Sequence, residues 1–216
     1  YTVQVSDVND NAPVFNDTHF TASVYENTPS DVVITTISAK DADMGQNAII
    51  EYMFGVTASS SLFINRLTGT IKTSAALDYE QTSEYNLVVI ATNPGTQLRN
   101  TTQVTIQVKG VNEFYPKFVQ KNYPFSIKES IPINTVLGSV LATDDDRGED
   151  GVVYYYLIGS SNTKGFKLDH KTGEIIVSGR PDYESSPTIV LTVMAKNWGS
   201  IQGGDTDECT ISITIE

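Results

Sequence analysis

The chain has one cysteine, one tryptophan and two histidines among its 216 residues. A lone cysteine, Cys209, excludes an intrachain disulfide framework and any multi-cysteine zinc site. Basic residues are also scarce: Lys and Arg number 14 against 26 Asp and Glu, a formal charge of −12. Nucleic-acid binding needs a basic face that displaces phosphate counterions, so that class is excluded. Docking on an anionic membrane surface is disfavoured for the same reason. No run of about 18 apolar residues occurs, so no membrane segment is read. The start carries no basic stretch followed by an apolar one. Charged residues make up 19% and hydrophobic residues 39%, the balance of a folded chain. The length suits one or two domains.

Self-comparison finds two copies of one pattern. Pro13-Val14-Phe15 recurs as Pro116-Lys117-Phe118, 103 residues on. Tyr25-Glu26-Asn27 and Lys128-Glu129-Ser130 keep that offset, as do Asp41-Ala42-Asp43-Met44-Gly45 and Asp144-Asp145-Asp146-Arg147-Gly148. Tyr52 maps to Tyr155, after which one residue is gained and the offset becomes 104. Leu67-Thr68-Gly69 then matches Lys171-Thr172-Gly173, Asp78-Tyr79-Glu80 matches Asp182-Tyr183-Glu184, and Ala91-Thr92-Asn93 matches Ala195-Lys196-Asn197. Seven matches in order with one slip define two tandem modules of about 100 residues.

Each module reads as β. Val104, Ile106 and Val108 alternate with polar residues, as do Ile211, Ile213 and Ile215, the period of strands with one buried face. Tyr85, Leu87, Val89 and Ala91 alternate too, but Val88 and Ile90 fill the other face, as in a strand covered on both sides. Short strands bounded by Gly, Asn, Asp and Ser predict a sandwich, and no long helical stripe is present. Seven strands per module would make it Ig-like, without the Cys…Trp…Cys pattern of true immunoglobulin domains. Residues 1–6 match the strand at 103–109 and read as the last strand of a preceding module. The chain is therefore expected to be a segment of a longer array.

The carboxylates recur at fixed positions. Each module has an early Glu, an Asp-x-Asp after the second strand and an Asp-Tyr-Glu before the sixth, and Asp7-Val8-Asn9-Asp10-Asn11 precedes the first. Oxygen-only donor sets suit hard cations such as Ca²⁺, which takes 6–8 oxygens, and are wrong for zinc. Any one of these motifs alone reads more simply as a solvated turn; recurrence in both modules favours calcium. An EF-hand is rejected, because position 12 of such a loop should be Glu and is Tyr52 or Tyr155 here.

The ordered set Asp7-Val8-Asn9-Asp10-Asn11-Ala12-Pro13-Val14-Phe15, Glu26-Asn27, Asp41-Ala42-Asp43, Leu67-Thr68-Gly69 and Leu77-Asp78-Tyr79-Glu80 resembles a cadherin repeat, and the likeness covers both modules. Gly110-Val111-Asn112-Glu113-Phe114-Tyr115-Pro116 and Ala195-Lys196-Asn197-Trp198-Gly199 are most similar to the giant Fat-type cadherins. The resemblance implies an all-β tandem of two seven-stranded Ig-like Greek-key sandwiches joined by a calcium-binding linker. Residues 1–11 would close a preceding repeat, 12–109 and 116–216 would be the two repeats, and 110–115 the linker. It further implies an extracellular, membrane-anchored protein of cell adhesion or planar polarity, whose calcium-stiffened rod meets another cadherin, homophilically or heterophilically. A Dachsous-like partner would follow for a Fat-type chain.

The same resemblance implies the ligands. Glu26, Asp78 and Glu80 would act with Asn112, Glu113, Asp144, Asp146, Asn197 and the Asp150 carbonyl. Asn9, Asp41, Asp43 and Asn93 would hold the outermost calcium of the preceding junction, where Asp7 and Asp10 need partners from another module. Glu129, Asp182 and Glu184 form half of a further site. Gly110 stands where the family has the first linker Asp, Glu113 is longer than the usual Asp, Phe114 replaces Asn, and Asn93 and Asn197 stand where Asp is usual. Fewer ligand charges imply weaker binding at the middle junction than at a complete one, where extracellular modules reach about 10⁻⁴–10⁻³ M.

Other readings compete. The modules could bind a non-cadherin extracellular ligand, or serve as a pure spacer with a flexible, calcium-poor hinge. An acid/base pair of Asp78 and Glu80 is argued against by its duplication and by the lack of a nucleophile–base set, so no enzyme is expected. Cys209 is in register with the inward Ile211, Ile213 and Ile215 and reads as an inert buried thiol. His19 and His170 read as surface residues, and Trp198 as a cover over the top of the second module. Asn16-Asp17-Thr18 and Asn100-Thr101-Thr102 are N-glycosylation sequons if the chain is secreted.

Overall fold

A computed structural model describes residues 1–56, 59–159, 165–197 and 206–216. The chain divides into two compact units, Tyr1–Val111 and Asn112–Glu216. The first unit contains β1 (Val14–Phe15), β2 (His19–Tyr25), β3 (Val33–Thr36), β4 (Ala39–Lys40), β5 (Glu51–Phe54), β6 (Leu62–Ile64), β7 (Thr70–Thr73), β8 (Glu84–Thr92) and β9 (Arg99–Lys109). Its larger sheet has the order β2-β9-β8-β5 and its smaller one β3-β7-β6, with β1 paired to β4. The seven strands read from the sequence are present; the first two are each interrupted, giving β1/β2 and β3/β4. β2 runs parallel to β9, pairing Phe20 with Val104 and Tyr25 with Lys109, whereas β8 is antiparallel to both β9 and β5.

Period-two alternation builds the core. Val104, Ile106 and Val108 of β9 point inward at 1%, 0% and 4% exposure. They meet Leu87, Val89 and Ala91 of β8 and, from the smaller sheet, Ile64 and Ile71 in a single apolar cluster. That shared cluster is what makes the two sheets a sandwich. β8 departs from the expectation of two covered faces: Val88 is 37% exposed while Val89 is fully buried. The larger sheet faces the core on one side only, as antiparallel sheets commonly do.

The second unit repeats the plan with β10 (Lys117–Phe118), β11 (Asn122–Ile127), β12 (Val136–Ser139), β13 (Ala142–Thr143), β14 (Val153–Ile158), β15 (Phe166–Leu168), β16 (Glu174–Val177), β17 (Thr188–Asn197) and β18 (Thr206–Ile215). Its sheets have the orders β11-β18-β17-β14 and β12-β16-β15. Its core joins Phe166, Ile175 and Val177 to Val193, Ala195, Ile211 and Ile213. Cys209 lies in this core at 3% exposure, where burial first and the Asp207 charge second push its thiol pKa up to about 12. His19 and His170 are exposed, the latter stacked on Tyr154. Trp198 lies outside the described residues.

Residues 1–6 carry no assigned strand and are exposed, although they match β9 in sequence. A strand needs a ladder partner, and among the described residues none pairs with this segment. The only assigned helix among the described residues is a 3₁₀ turn, Gly45–Ala48, so no helices flank Asp41 and Asp43 as an EF-hand requires.

Candidate metal centres

Each sandwich has acidic loops at both ends. In the first unit, Glu26 follows β2, and Asp78-Tyr79-Glu80 lies on the approach to β8. The Glu26 side chain is folded inward at 2% exposure: one carboxylate oxygen accepts from the Tyr79 N–H at 2.8 Å and the other from the Val111 N–H at 2.6 Å. An oxygen of Glu80 lies within 4.8 Å of one of Glu26. Asp78 accepts from the Gln81 N–H at 2.8 Å and the Gln81 amide at 2.6 Å, which fixes the turn that presents it. Gly110 packs on Tyr79: a Cβ there would sit 2.9 Å from the ring.

The opposite end of the first unit is built from residues 7–11, the loop after β4 and the end of β8. Asp43, 9% exposed, accepts from the Asn11 N–H at 3.1 Å and from the Asn11 side-chain amide at 2.5 Å, while its own N–H donates to Asp41. Asp7 accepts from the Met44 N–H and the Asn47 amide at 3.0 and 2.9 Å. Asp10 is exposed and accepts from Asn11. Asn9 donates to the Asn47 carbonyl at 3.2 Å. Asn93 donates to Asp41 at 2.9 Å and to the Asn47 and Ile49 carbonyls at 3.1 Å each.

The second unit reproduces this end. Asp146, 8% exposed, accepts from the N–H groups of Glu113 and Phe114 at 3.3 and 3.1 Å and donates its own N–H to Asp144. Asn112 donates to the Asp150 carbonyl at 3.4 Å. Asn197 donates to Asp144 at 3.1 Å and the Val152 carbonyl at 3.4 Å. At its other end, ligand oxygens of Glu129, Asp182 and Glu184 all lie within 4.8 Å of one another on the surface. The Ser185 hydroxyl, foremost, holds the Asp182 carboxyl below its ordinary pKa.

Asp43 and Asp146 are equivalent positions with opposite electrostatics. The Asn11 side-chain amide, more than any other group, lowers the Asp43 pKa. Phe114 stands in place of Asn11 and supplies only its N–H, so burial dominates at Asp146 and raises its pKa. Buried charge is tolerated when it is paired or bound to metal. No Lys or Arg pairs with Glu26, Asp43 or Asp146 among the described residues; ion pairs join Arg66 to Glu51, Lys72 to Asp31 and Lys121 to Asp207 instead. The Oδ1 atoms of Asn9, Asn93 and Asn197 are buried with no hydrogen-bond partner. Buried carboxylates without cationic partners fit a hard divalent ion such as calcium.

The sequence reading missed Asn11, which clamps Asp43, and Asn47, whose carbonyl and side chain both serve this end. Asn47 was findable: it lies 103 residues before Asp150, whose carbonyl the reading did single out.

Comparison with known proteins followed the same division. The Cadherin domain family matches residues 20–109 and 123–216. Protocadherin Fat 4 of Homo sapiens is 44% identical over 215 residues, 99% of this chain and 4% of that protein. Protein dachsous of Drosophila melanogaster is 33% identical over 210 residues, 93% of this chain and 6% of that protein. Among solved structures, mouse Cadherin-23 EC22-24 superposes with a TM-score of 0.78 at 31% identity, over 98% of this chain and 66% of the other. The extracellular cadherin domains 3-6 of Protocadherin Gamma B2 give 0.86 at 25% identity, over 98% and 53%.

Proposed function

Because the chain belongs to the cadherin family, whose repeat is a non-enzymatic adhesion module, we propose that its two repeats bind calcium at their acidic ends and serve as a calcium-stiffened stretch of an extracellular adhesion protein. The observation that carries this reading is the burial of Glu26, Asp43 and Asp146 without a cationic partner. Glu26, Asp78 and Glu80 would hold the ion at one end of the first repeat, and Glu129, Asp182 and Glu184 at the matching end of the second. Asp7, Asn9, Asp10, Asp41 and Asp43, and in the second repeat Asn112, Glu113, Asp144, Asp146 and the Asp150 carbonyl, would hold it at the other ends. Calcium supplies there the positive charge that the side chains lack.

Without it the carboxylates clustered at each acidic end repel one another. Binding to the ordered state favours that state by mass action. Gly110 removes one carboxylate and its contact with Tyr79 leaves no ready space to restore it, which supports weaker binding at this end of the first repeat than a complete ligand set would give. The chain spans only 4% of the length of Protocadherin Fat 4. Recognition of another cadherin, homophilic or of the Fat–Dachsous kind, is proposed for the longer protein on the strength of those relatives. Asn16 and Asn100 are exposed and would take N-glycans on the extracellular side. No described helix is long and apolar enough to cross a membrane.

Small-angle scattering and thermal melting, each with calcium and with chelator, test the reading together. Calcium is expected to raise the melting temperature and narrow the distribution of dimensions. Identical melting and identical scattering in both conditions would overturn it.

A further inference from the structure

We infer that the side-chain –NH₂ groups of Asn93 and Asn197 occupy the oxygen cage of the outermost calcium, so that each repeat takes one ion fewer than the full cadherin pattern. The inference rests on the calcium reading above and narrows it. Around Asn93 Nδ2 stand three oxygens at 2.9–3.1 Å: a carboxylate oxygen of Asp41 and the carbonyls of Asn47 and Ile49. Three acceptors around one terminal atom identify it as the nitrogen. This is the hard-oxygen environment a divalent ion would seek, and a neutral donor fills it instead.

The second repeat does the same, independently. Asn197 Nδ2 donates to Asp144 and to the Val152 carbonyl, the counterparts of Asp41 and Ile49. Asn9 and Asn112 donate to the equivalent carbonyls of Asn47 and Asp150. Both strand-end asparagines are at most 1% exposed, and in both the Oδ1 atom is buried with no partner. Leaving an acceptor unsatisfied is costly, and the donor bonds on the other arm of the amide offset it. Turning Oδ1 toward an ion would break those bonds and bury the –NH₂ where Oδ1 now finds no donor. An aspartate here would set its charge against Asp41 or Asp144, which only a cation could relieve. Asparagine therefore holds this end closed without that ion.

The test compares the wild-type chain with Asn93→Asp and Asn197→Asp, counting bound calcium by native mass spectrometry and melting each protein in chelator and in saturating calcium. Each aspartate variant is expected to bind one more calcium than wild type, to melt several degrees lower in chelator, and to recover that loss in calcium. The wild-type Asn93 and Asn197 side-chain N–H signals are expected to persist, protected from exchange, in NMR spectra at saturating calcium. An equal calcium count in wild type and variants, or loss of those signals on calcium addition, overturns the inference and leaves the calcium reading standing. A variant unfolded even in calcium also overturns it, because the cage then cannot take an ion with a carboxylate present. Absence of calcium from every protein overturns the calcium reading, and the inference with it.

Discussion

A tyrosine hydroxyl holds a strand N–H in each repeat. Tyr52 accepts from the Ala39 N–H at 2.9 Å, and Tyr155 from the Ala142 N–H at 3.0 Å, both from rings about 5–6% exposed. The hydroxyl thereby anchors β4 and β13, the short strands that lead directly into Asp41 and Asp144. Replacement by Phe keeps the ring and strands the N–H, a penalty of about 1–3 kcal/mol. Tyr155→Phe, measured by chemical denaturation, should lose that much, and an unchanged midpoint would show that the hydroxyl contact is dispensable. Cys209 makes a contrary forecast. With its pKa pushed up to about 12 and its sulfur in the core, it should resist alkylation at pH 8 in the folded chain and react once denaturant is added. Fast labelling of the native chain would contradict its placement among the inward residues of β18.

At the level of elements, the turns Leu67-Thr68-Gly69 and Lys171-Thr172-Gly173 do more than reverse the chain. Gly69 and Gly173 have φ of +68° and +70°, and a Cβ on them would lie 2.1 Å from the Ile37 carbonyl oxygen and 2.4 Å from that of Val140. Those two residues are anchored in the cores and donate back to the glycine carbonyls at 3.0 Å, so the backbone cannot yield cheaply. Gly69→Ala should cost more than about 3 kcal/mol, the upper end of left-handed strain alone. Gly95→Ala is the control: its φ is +76° but nothing lies within 4 Å. Equal losses in the two variants would sink the steric argument. The turn was legible in the sequence because both copies carry it at the same offset, and strand alternation identified the inward faces of β9 and β18 in the same way. Val88 and Ile90 were misread because apolar side chains on the open face of an antiparallel sheet look, in sequence, like a second buried face. The interruptions that split the first two strands leave no periodic trace at all.

The acidic ends were legible for a reason that belongs to the whole molecule: the carboxylates recur at the same offsets in both repeats, so one copy checks the other. Which arm of an amide faces a neighbouring oxygen cannot be read this way, since Asn93 carries both a donor and an acceptor and only the surrounding carbonyls decide. The chain's charge of −12 and pI of about 4.5 then set how the two repeats respond to salt. In chelator, like charges at every acidic end repel within a few ångströms, and screening at 0.5 M salt, where the Debye length falls to about 4 Å, should relieve them. Sodium chloride raised from low ionic strength should therefore increase the melting temperature of the calcium-free chain. The same screening weakens attraction between calcium and the carboxylates, so the melting gain from a fixed subsaturating calcium concentration should shrink over the same range. The two trends have opposite signs because one electrostatic cause acts on both. If salt lowered the calcium-free melting temperature, the carboxylate clusters would not be the groups that strain the metal-free fold, and the calcium gain would have to come from contacts other than these acidic ends.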